Sequence, residues 1–257
     1  MDETGGKTAP APDGPLPAET YAVPERGFTI DRGKALVSAG ILWAIWAVMI
    51  LLVTQGRTEG FDHSGLLLYR AGVDLQPLGG NMLQEAVRDV TALGGFLLST
   101  LAAGAAAIAL LFLRMRREAM LFTLTVVLGW GLNAVMKLLV GRERPTLVPH
   151  LTEAAGYSFP SGHSFTAAMI FIGMALAFAS FSKRHSVHYT LVGSAMVISG
   201  LIAWSRVMLG VHFPSDVIAG WTGGAAWAFT AAALLYQPAR QAADSDTAHR
   251  LDPMEHR

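Results

Sequence analysis

The chain contains no cysteine among its 257 residues. This absence excludes disulfide cross-links, thiol nucleophiles and thiolate metal sites. Charged residues are also scarce, at 15%, whereas hydrophobic residues make up 52% of the chain. A soluble domain of this length needs a larger charged surface, so the composition favours a protein whose solvent is a lipid bilayer. Because the formal net charge is zero, we expect no nucleic-acid partner.

Long apolar segments recur along the chain. A helix needs about 20 apolar residues to cross the hydrocarbon core of a bilayer. Six segments reach about this length, which predicts an all-α polytopic membrane protein with six transmembrane helices. The predicted spans are residues 35–54, 92–113, 119–140, 163–182, 189–208 and 216–236. A soluble helical bundle is the alternative, but these segments lack a polar face for water.

The distribution of lysine and arginine predicts the orientation in the membrane. Cytoplasmic flanks of transmembrane helices are enriched in these residues, and the side that carries both termini holds most of them. We therefore expect residues 1–34 to form a mostly disordered cytoplasmic tail and residues 237–257 a second cytoplasmic tail. Residues 35–236 would form the six-helix domain between them.

The connection between the first two predicted spans, residues 55–91, is long for a simple loop. Apolar stretches within it indicate short helices. These helices could lie on the outer interface as a cap over a site, or they could pack between the two spans. The sequence leaves both interpretations open.

Residues with strong chemistry gather in three clusters in the second half of the chain. They stand at the ends of predicted spans, mostly on the side opposite to the termini, against the charge bias. The clusters are Lys137 with Arg144 and Pro145, then Pro160, Ser161, Gly162 and His163, and then Ser205 and Arg206 with His212 and Asp216. Three cations, two histidines and a carboxylate at helix ends are typical of a phosphate site.

The second cluster opens the fourth predicted span. Ser161 can cap this helix, and Gly162 lets a ligand approach the backbone closely. The free amide groups at the start of a helix bind anions, and the helix dipole strengthens the attraction. A plain helix cap explains both residues about as well, but it does not require His163 at the same place.

The third cluster suggests a nucleophile. Asp216 falls in the first turn of the sixth predicted span, four residues after His212. Its carboxylate can accept a hydrogen bond from one ring nitrogen of His212, which leaves the other nitrogen as a nucleophile. Helix capping is the alternative role for Asp216.

The basic residues of the first cluster have ordinary alternatives. Lys137 could simply extend its ammonium group to the membrane interface, and Arg144 could be a solvated loop charge. Arg142 could add positive potential at the mouth of a site, but we favour a solvated loop charge for it.

Together, the three motifs resemble the signature of the type 2 phosphatidic acid phosphatase superfamily, K-x6-R-P, P-S-G-H and S-R-x5-H-x3-D. Every invariant letter is present at the required spacing, and the resemblance covers about residues 119–236. It implies a six-helix membrane enzyme that hydrolyses a lipid phosphate or diphosphate without a metal or other cofactor. Candidate substrates are undecaprenyl diphosphate, phosphatidic acid and phosphatidylglycerol phosphate.

The resemblance also implies a role for each motif residue. His212 would attack phosphorus to give a phosphohistidine, Asp216 would orient His212, and His163 would protonate the leaving oxygen. The phosphoryl oxygens would be held by Lys137, Arg144, Ser161, Gly162 and Arg206. We expect this site at the outer, periplasmic face of a bacterial inner membrane. The partners would be the bilayer and its lipid substrate, with no obligatory protein partner.

Two other functions stay open at this stage. A phosphotransferase could use the same phosphohistidine and pass the phosphoryl group to a lipid or sugar instead of water. A transporter or lipid-binding protein could use the cations only to hold an anion, although binding alone needs neither a nucleophilic nor an acidic histidine. A vanadate-dependent haloperoxidase would have a related anion pocket, but its usual soluble setting argues against it.

Overall fold

The structure is a computed structural model that describes residues 31–179 and 184–251, with side chains up to residue 234. Eight helices and one short hairpin of strands lie within these residues. The helices are α1 Arg32–Thr54, α2 Glu59–Leu67, α3 Asn81–Ala92, α4 Phe96–Phe112, α5 Arg116–Val140, α6 Gly162–Ala179, α7 His185–Met208 and α8 Pro214–Leu251. Strand β1 (Arg70–Ala71) pairs antiparallel with β2 (Gln76–Pro77).

The predicted spans correspond to α1 and to α4 through α8. Helices α1, α5, α6 and α7 and the segment Pro214–Leu234 of α8 are each long and apolar enough to cross a membrane. Helix α4 has only 17 residues, and it joins α3 at a 46° bend. A helical membrane architecture is therefore confirmed, with five spans, or six if the bent α3–α4 pair forms one span.

Several ends of the predicted spans shift in the structure, those of α1 and α8 among them. Helix α1 begins three residues before its predicted start, because Asp31 caps it by accepting a hydrogen bond from the Lys34 amide at 3.2 Å. Helix α8 continues to Leu251, so the tail expected from residue 237 begins as helix. The predicted N-terminal tail before residue 31 lies outside the described residues, as do residues 180–183 at the end of the fourth predicted span.

Helix α6 forms the centre of the bundle. It packs against α4, α5, α7 and α8, while α1 packs mainly against α8. Most side chains of α6 are buried. Phe165 and Met169 pack with Phe122 of α5 and Leu110 of α4. Helices α4, α5 and α6 therefore share one hydrophobic core.

Two glycines let α8 approach the backbone of α6. A methyl group placed on Gly224 would lie 2.2 Å from the Phe165 carbonyl oxygen, and one placed on Gly220 would lie 2.5 Å from that of Ser161. These distances leave no room for a side chain, so glycine is required at both positions. The close contact brings the start of α6 against the start of α8, and the Ser161 amide donates to the Asp216 carbonyl oxygen at 3.0 Å.

The connection between α1 and α4 contains the short helices that its apolar stretches predict. Helix α2 packs on α7 and α8, and α3 packs on α7. Each helix buries a polar side chain together with an apolar one, Asp62 with Leu66 in α2 and Thr91 with Val87 in α3. The connection therefore covers the helix ends that carry the third sequence cluster.

We predict that Gly224→Ala destabilises the fold by about 1–3 kcal/mol, because the added methyl group must push α6 and α8 apart. Thermal unfolding in detergent micelles measures the change. Gly200→Ala on α7 is the matched control, since a methyl group there would meet no atom within 4 Å. Equal unfolding midpoints for the two variants would contradict the prediction.

Candidate active site

The first cluster is brought to the site by a loop that folds back on itself. Helix α5 ends at Gly141, whose φ of 62° is the left-handed conformation that commonly terminates helices. The following loop returns, so that the Ser158 amide donates to the Arg142 carbonyl oxygen at 2.8 Å. In the last turn of α5, the Lys137 ammonium donates to the Tyr157 carbonyl oxygen at 2.6 Å. Lys137 thus lies beside the segment that leads into the second cluster.

Arg144 is fixed by carbonyl groups and reaches the third cluster. Its side chain donates to the carbonyl oxygens of Gly156 at 3.0 Å, Ala155 at 2.8 Å and Val211 at 2.9 Å. The same Nη1 lies 3.1 Å from Nε2 of His212. Because a guanidinium group can only donate, Nε2 must accept, and the ring proton must be on Nδ1. This tautomer gives Nε2 the lone pair that a nucleophile needs.

On the opposite edge of the His212 ring, Nδ1 is linked to Asp216 through the Ser158 hydroxyl. Oδ2 of Asp216 lies 3.6 Å from Nδ1, longer than the direct hydrogen bond that the sequence suggests. The Ser158 hydroxyl bridges this gap, with its Oγ 3.2 Å from Nδ1 and 2.5 Å from Oδ2. The backbone amide of Phe213 also donates to Oδ2, at 3.0 Å. Both the ring and the carboxylate are buried, so their orientations are fixed by these few contacts.

Burial controls the protonation of His212. Removal of the ring from water lowers the pKa of His212 to about 4, an effect that the neighbouring Arg144 and Arg206 strengthen and Asp216 opposes. At neutral pH the ring is therefore uncharged. Burial also lowers the pKa of Arg144, although this guanidinium remains a cation near neutral pH.

The second cluster stands between the first and the third. Ser161 is fully buried, and its Oγ accepts a hydrogen bond from Ser164 at 2.9 Å. A methyl group placed on Gly162 would lie 3.5 Å from Nδ2 of Asn133 and 3.7 Å from Cε of Lys137. The start of α6 therefore faces the end of α5, which puts the Gly162 backbone beside the Lys137 side chain.

The remaining predicted site residues, Arg206 and His163, lie beside the bend between α3 and α4. Nη1 of Arg206 donates to the Thr91 hydroxyl at 2.8 Å. Within the described part of the chain, Nε of this buried arginine has no hydrogen-bond partner. His163 packs beside the glycines of the bend, and its Nε2 would be 3.8 Å from a methyl group on Gly95. A buried cation with an unused donor is suited to bind an anion.

The interpretation of Arg142 as a solvated loop charge is wrong. Its Nη2 contacts Oδ2 of Asp62 at 2.7 Å, and its Nη1 contacts Oδ1 of Asp216 at 2.7 Å. Nη1 also donates to the Ser215 hydroxyl at 2.8 Å, and the guanidinium group lies 4.1 Å from the centre of the Phe213 ring. Burial by itself would lower the pKa of Arg142, but the two carboxylates outweigh burial and raise it.

Sequence reasoning missed four further residues of the site, Asp62, Thr91, Ser158 and Ser215. Ser158 precedes the second cluster by three residues and Ser215 adjoins Asp216, so proximity in the chain could have indicated both. Asp62 and Thr91 lie in the distant connection between the first two spans. Only a general rule could have indicated Asp62, namely that an ionisable group near the membrane core is usually paired and functional.

The arrangement as a whole suits phosphoryl chemistry. Arg144 and Arg206 lie near an uncharged imidazole whose Nε2 carries a lone pair, and Lys137 lies beside the start of α6. Positive groups can bind a tetrahedral anion, and a fixed imidazole beside them can attack its central atom.

Comparisons with known proteins agree with this chemistry. The family model described as PAP2 superfamily matches residues 118–240. Phosphatidylglycerophosphatase B of Bacillus subtilis is 34% identical over 188 residues, which cover 70% of this chain and 88% of that protein. A lipid A 1-phosphatase of Rhizobium etli is 36% identical over 127 residues, which cover 46% of this chain and 50% of that protein.

A solved structure has the same fold. The crystal structure of a transmembrane PAP2-type phosphatidylglycerolphosphate phosphatase from Bacillus subtilis aligns with a TM-score of 0.68 at 22% identity, covering 85% of this chain and 99% of that chain. The expected superfamily is therefore confirmed, and the protein belongs to the PAP2 superfamily.

Proposed function

We propose that the protein is an integral-membrane phosphatase that hydrolyses a lipid phosphate or diphosphate through a phosphohistidine. The observation that carries this proposal is the setting of His212. Its Nδ1 proton faces Ser158 and Asp216, and its Nε2 accepts from Arg144, a cation suited to hold a phosphoryl oxygen. The names of the relatives, both lipid phosphatases, support the same reaction class.

The first half-reaction forms the phosphoenzyme. Nε2 of His212 donates its lone pair to phosphorus, and the bond from phosphorus to the lipid oxygen breaks. The negative charge of the bound phosphate favours a protonated His163, which gives its proton to that oxygen. The attack makes the His212 ring cationic, and the Asp216 carboxylate stabilises this charge through the Ser158 bridge and directly at 3.6 Å.

The second half-reaction restores the enzyme. Neutral His163 accepts a proton from water, whose oxygen attacks phosphorus, and the bond to Nε2 breaks to release inorganic phosphate. In both steps negative charge spreads over the equatorial oxygens. Lys137, Arg144 and Arg206 are placed to stabilise it. Loss of one such preorganised donor typically costs about a hundredfold or more in rate.

A lipid substrate follows from where the site lies. Its residues stand at the ends of apolar helices, so a lipid tail can remain in the bilayer while the phosphate enters the polar site. The relatives named above act on phosphatidylglycerophosphate and lipid A, both membrane lipids. Phosphatidylglycerol phosphate, phosphatidic acid and undecaprenyl diphosphate are the substrates to test first.

The proposed topology has six spans, with α3 and α4 together crossing as one bent span. Both termini would be cytoplasmic, and the site would face the periplasm from a bacterial inner membrane. The bias of lysine and arginine toward the termini supports this orientation. An even number of spans also places both termini on the same side.

We predict that His212→Ala lowers phosphate release at least about a thousandfold while the protein stays folded, because the variant lacks the attacking nitrogen. Release of inorganic phosphate from the three candidate lipids, in detergent with EDTA, measures the effect. His63→Ala, which removes an exposed histidine of α2, should keep normal activity. Near-normal phosphate release from His212→Ala would refute the mechanism.

The same assay separates hydrolysis from transfer. In water enriched in oxygen-18, a hydrolase incorporates the label into every phosphate that it releases. A phosphotransferase would instead give a phosphorylated acceptor, and its output of free phosphate would fall as acceptor is added. An anion-binding protein would release no phosphate from any lipid of the panel.

We also predict that the His212 ring stays uncharged at pH values well below the ordinary pKa of histidine. Its folded pKa of about 4 lies under the ordinary value of about 6.5, so the ring gains no proton as the pH falls from about 7.5 to about 5.5. Nitrogen-15 NMR of histidine-labelled protein in micelles should show the Nδ1–H tautomer throughout. The signals absent from His212→Ala identify the ring, and a midpoint near 6.5 would contradict the prediction.

Labelling of introduced cysteines tests the topology without a background of native thiols, because the natural chain has no cysteine. Thr146→Cys places a thiol in the exposed part of the loop after α5, and Ser186→Cys places one at the opposite end of α7. In intact inner-membrane vesicles of known orientation, a membrane-impermeant maleimide should reach the first thiol only from the periplasmic side and the second only from the cytoplasmic side. The reverse pattern would invert the proposed orientation.

A further inference from the structure

Asp216 divides its two oxygens between different partners. Oδ2 faces the reacting side, where it accepts from Ser158 and Phe213 and lies near His212. Oδ1 faces away and accepts from Arg142 at 2.7 Å. Arg142 therefore fixes the rotation of the carboxylate, because rotation would break a short charged hydrogen bond in a buried site.

Arg142 itself is held from the other side by the α1–α4 connection. Asp62 of α2 has no exposed surface, and its Oδ2 accepts from Arg142 at 2.7 Å. Its carboxylate also accepts from the Ser215 amide at 2.9 Å and from the Ser215 hydroxyl at 2.7 Å. Asp62 thus binds the first turn of α8, where a carboxylate is favoured by the helix dipole, as well as the arginine beside it.

The charges of this group explain why two carboxylates share one arginine. If Arg142 faced Asp216 alone, the pair would be neutral, and less negative charge would be available to the His212 ring. With Asp62 present, the group of three carries one net negative charge. That charge is suited to stabilise the cation that forms when His212 attacks phosphorus.

We propose that Asp62 and Arg142 are positioning residues, which orient Asp216 and maintain its negative charge toward His212. The proposal rests on the function proposed above. It assigns Arg142 no contact with the substrate, because both of its terminal nitrogens are bound to carboxylates. It also gives the α1–α4 connection a part in catalysis, through a residue 154 positions from Asp216 in the chain.

The test is whether each substitution lowers the rate of turnover without weakening binding. We expect Asp62→Asn and Arg142→Gln each to lower the single-turnover rate of phosphoenzyme formation about 10- to 100-fold. KM and the inhibition constant of orthovanadate, an analogue of phosphate, should change by less than about threefold. Arg142→Lys should recover only part of the rate, because one ammonium group cannot replace a two-nitrogen bridge. Asp74→Asn, which neutralises an exposed carboxylate of the same connection, is the matched control and should keep the normal rate.

A double variant tests whether the two residues act together. If Asp62 acts through Arg142, Asp62→Asn should lower the rate of Arg142→Gln by less than about threefold further. Fully multiplicative losses would overturn the coupling. Normal turnover in a folded single variant would overturn the positioning role, and so would a loss confined to KM or to vanadate affinity.

The stability of each variant is measured separately from its activity. Thermal unfolding in detergent shows which variants are folded at the assay temperature, and Arg142→Lys and Asp62→Glu replace any variant that does not fold. A rate loss that disappears when assays are made well below each unfolding midpoint would mean a structural role only and would overturn the proposal. Failure here is distinguishable from failure of the proposed function, because the wild-type protein would still release phosphate and His212→Ala would still abolish it.

Discussion

The fold brings its three motifs together around one buried charge, the carboxylate of Asp216. A carboxylate without contact to water is stable only when its oxygens are paired or hydrogen-bonded. Asp216 meets this requirement with three groups, the Ser158 hydroxyl and the Arg142 guanidinium of the loop between α5 and α6, and the Phe213 amide. Its main-chain oxygen binds the Ser161 amide as well. The second motif, the α5–α6 loop that carries Arg142 of the first motif, and the start of α8 are therefore joined at a single residue.

Two arginines that are neighbours in sequence have different roles for the same reason. Arg142 and Arg144 are separated by one residue, yet Arg142 binds two carboxylates and Arg144 binds carbonyl oxygens and His212. A carbonyl oxygen positions a guanidinium group without neutralising its charge. Arg144 thus keeps its positive charge available for the phosphate-binding role that we propose for it, whereas the charge of Arg142 is balanced by Asp62 and Asp216.

Sequence patterns predicted the features that are local or periodic. They missed contacts between residues that are far apart in the chain. Apolar runs predict the spans because a bilayer imposes a minimum length on each helix, and fixed spacing predicts the motif residues. The second span is the exception, since Gly94 and Gly95 break the helix between α3 and α4, a signal that two adjacent glycines could have given. No local pattern could pair Asp62 with Arg142 or Thr91 with Arg206. Those contacts join residues 80 and 115 positions apart and exist only after the helices have packed.

The α1–α4 connection completes the site and does more than cover it. At one end, Asp62 of α2 binds Arg142, which contacts Asp216 beside the proposed nucleophile. At the other end, Thr91 of α3 binds Arg206, for which we propose a role in phosphate binding. The connection joins two helices that pack on different partners, α1 on α8 and α4 on α5 and α6. Because both contacts to the site come from helices of the connection, their geometry depends on how the connection is folded.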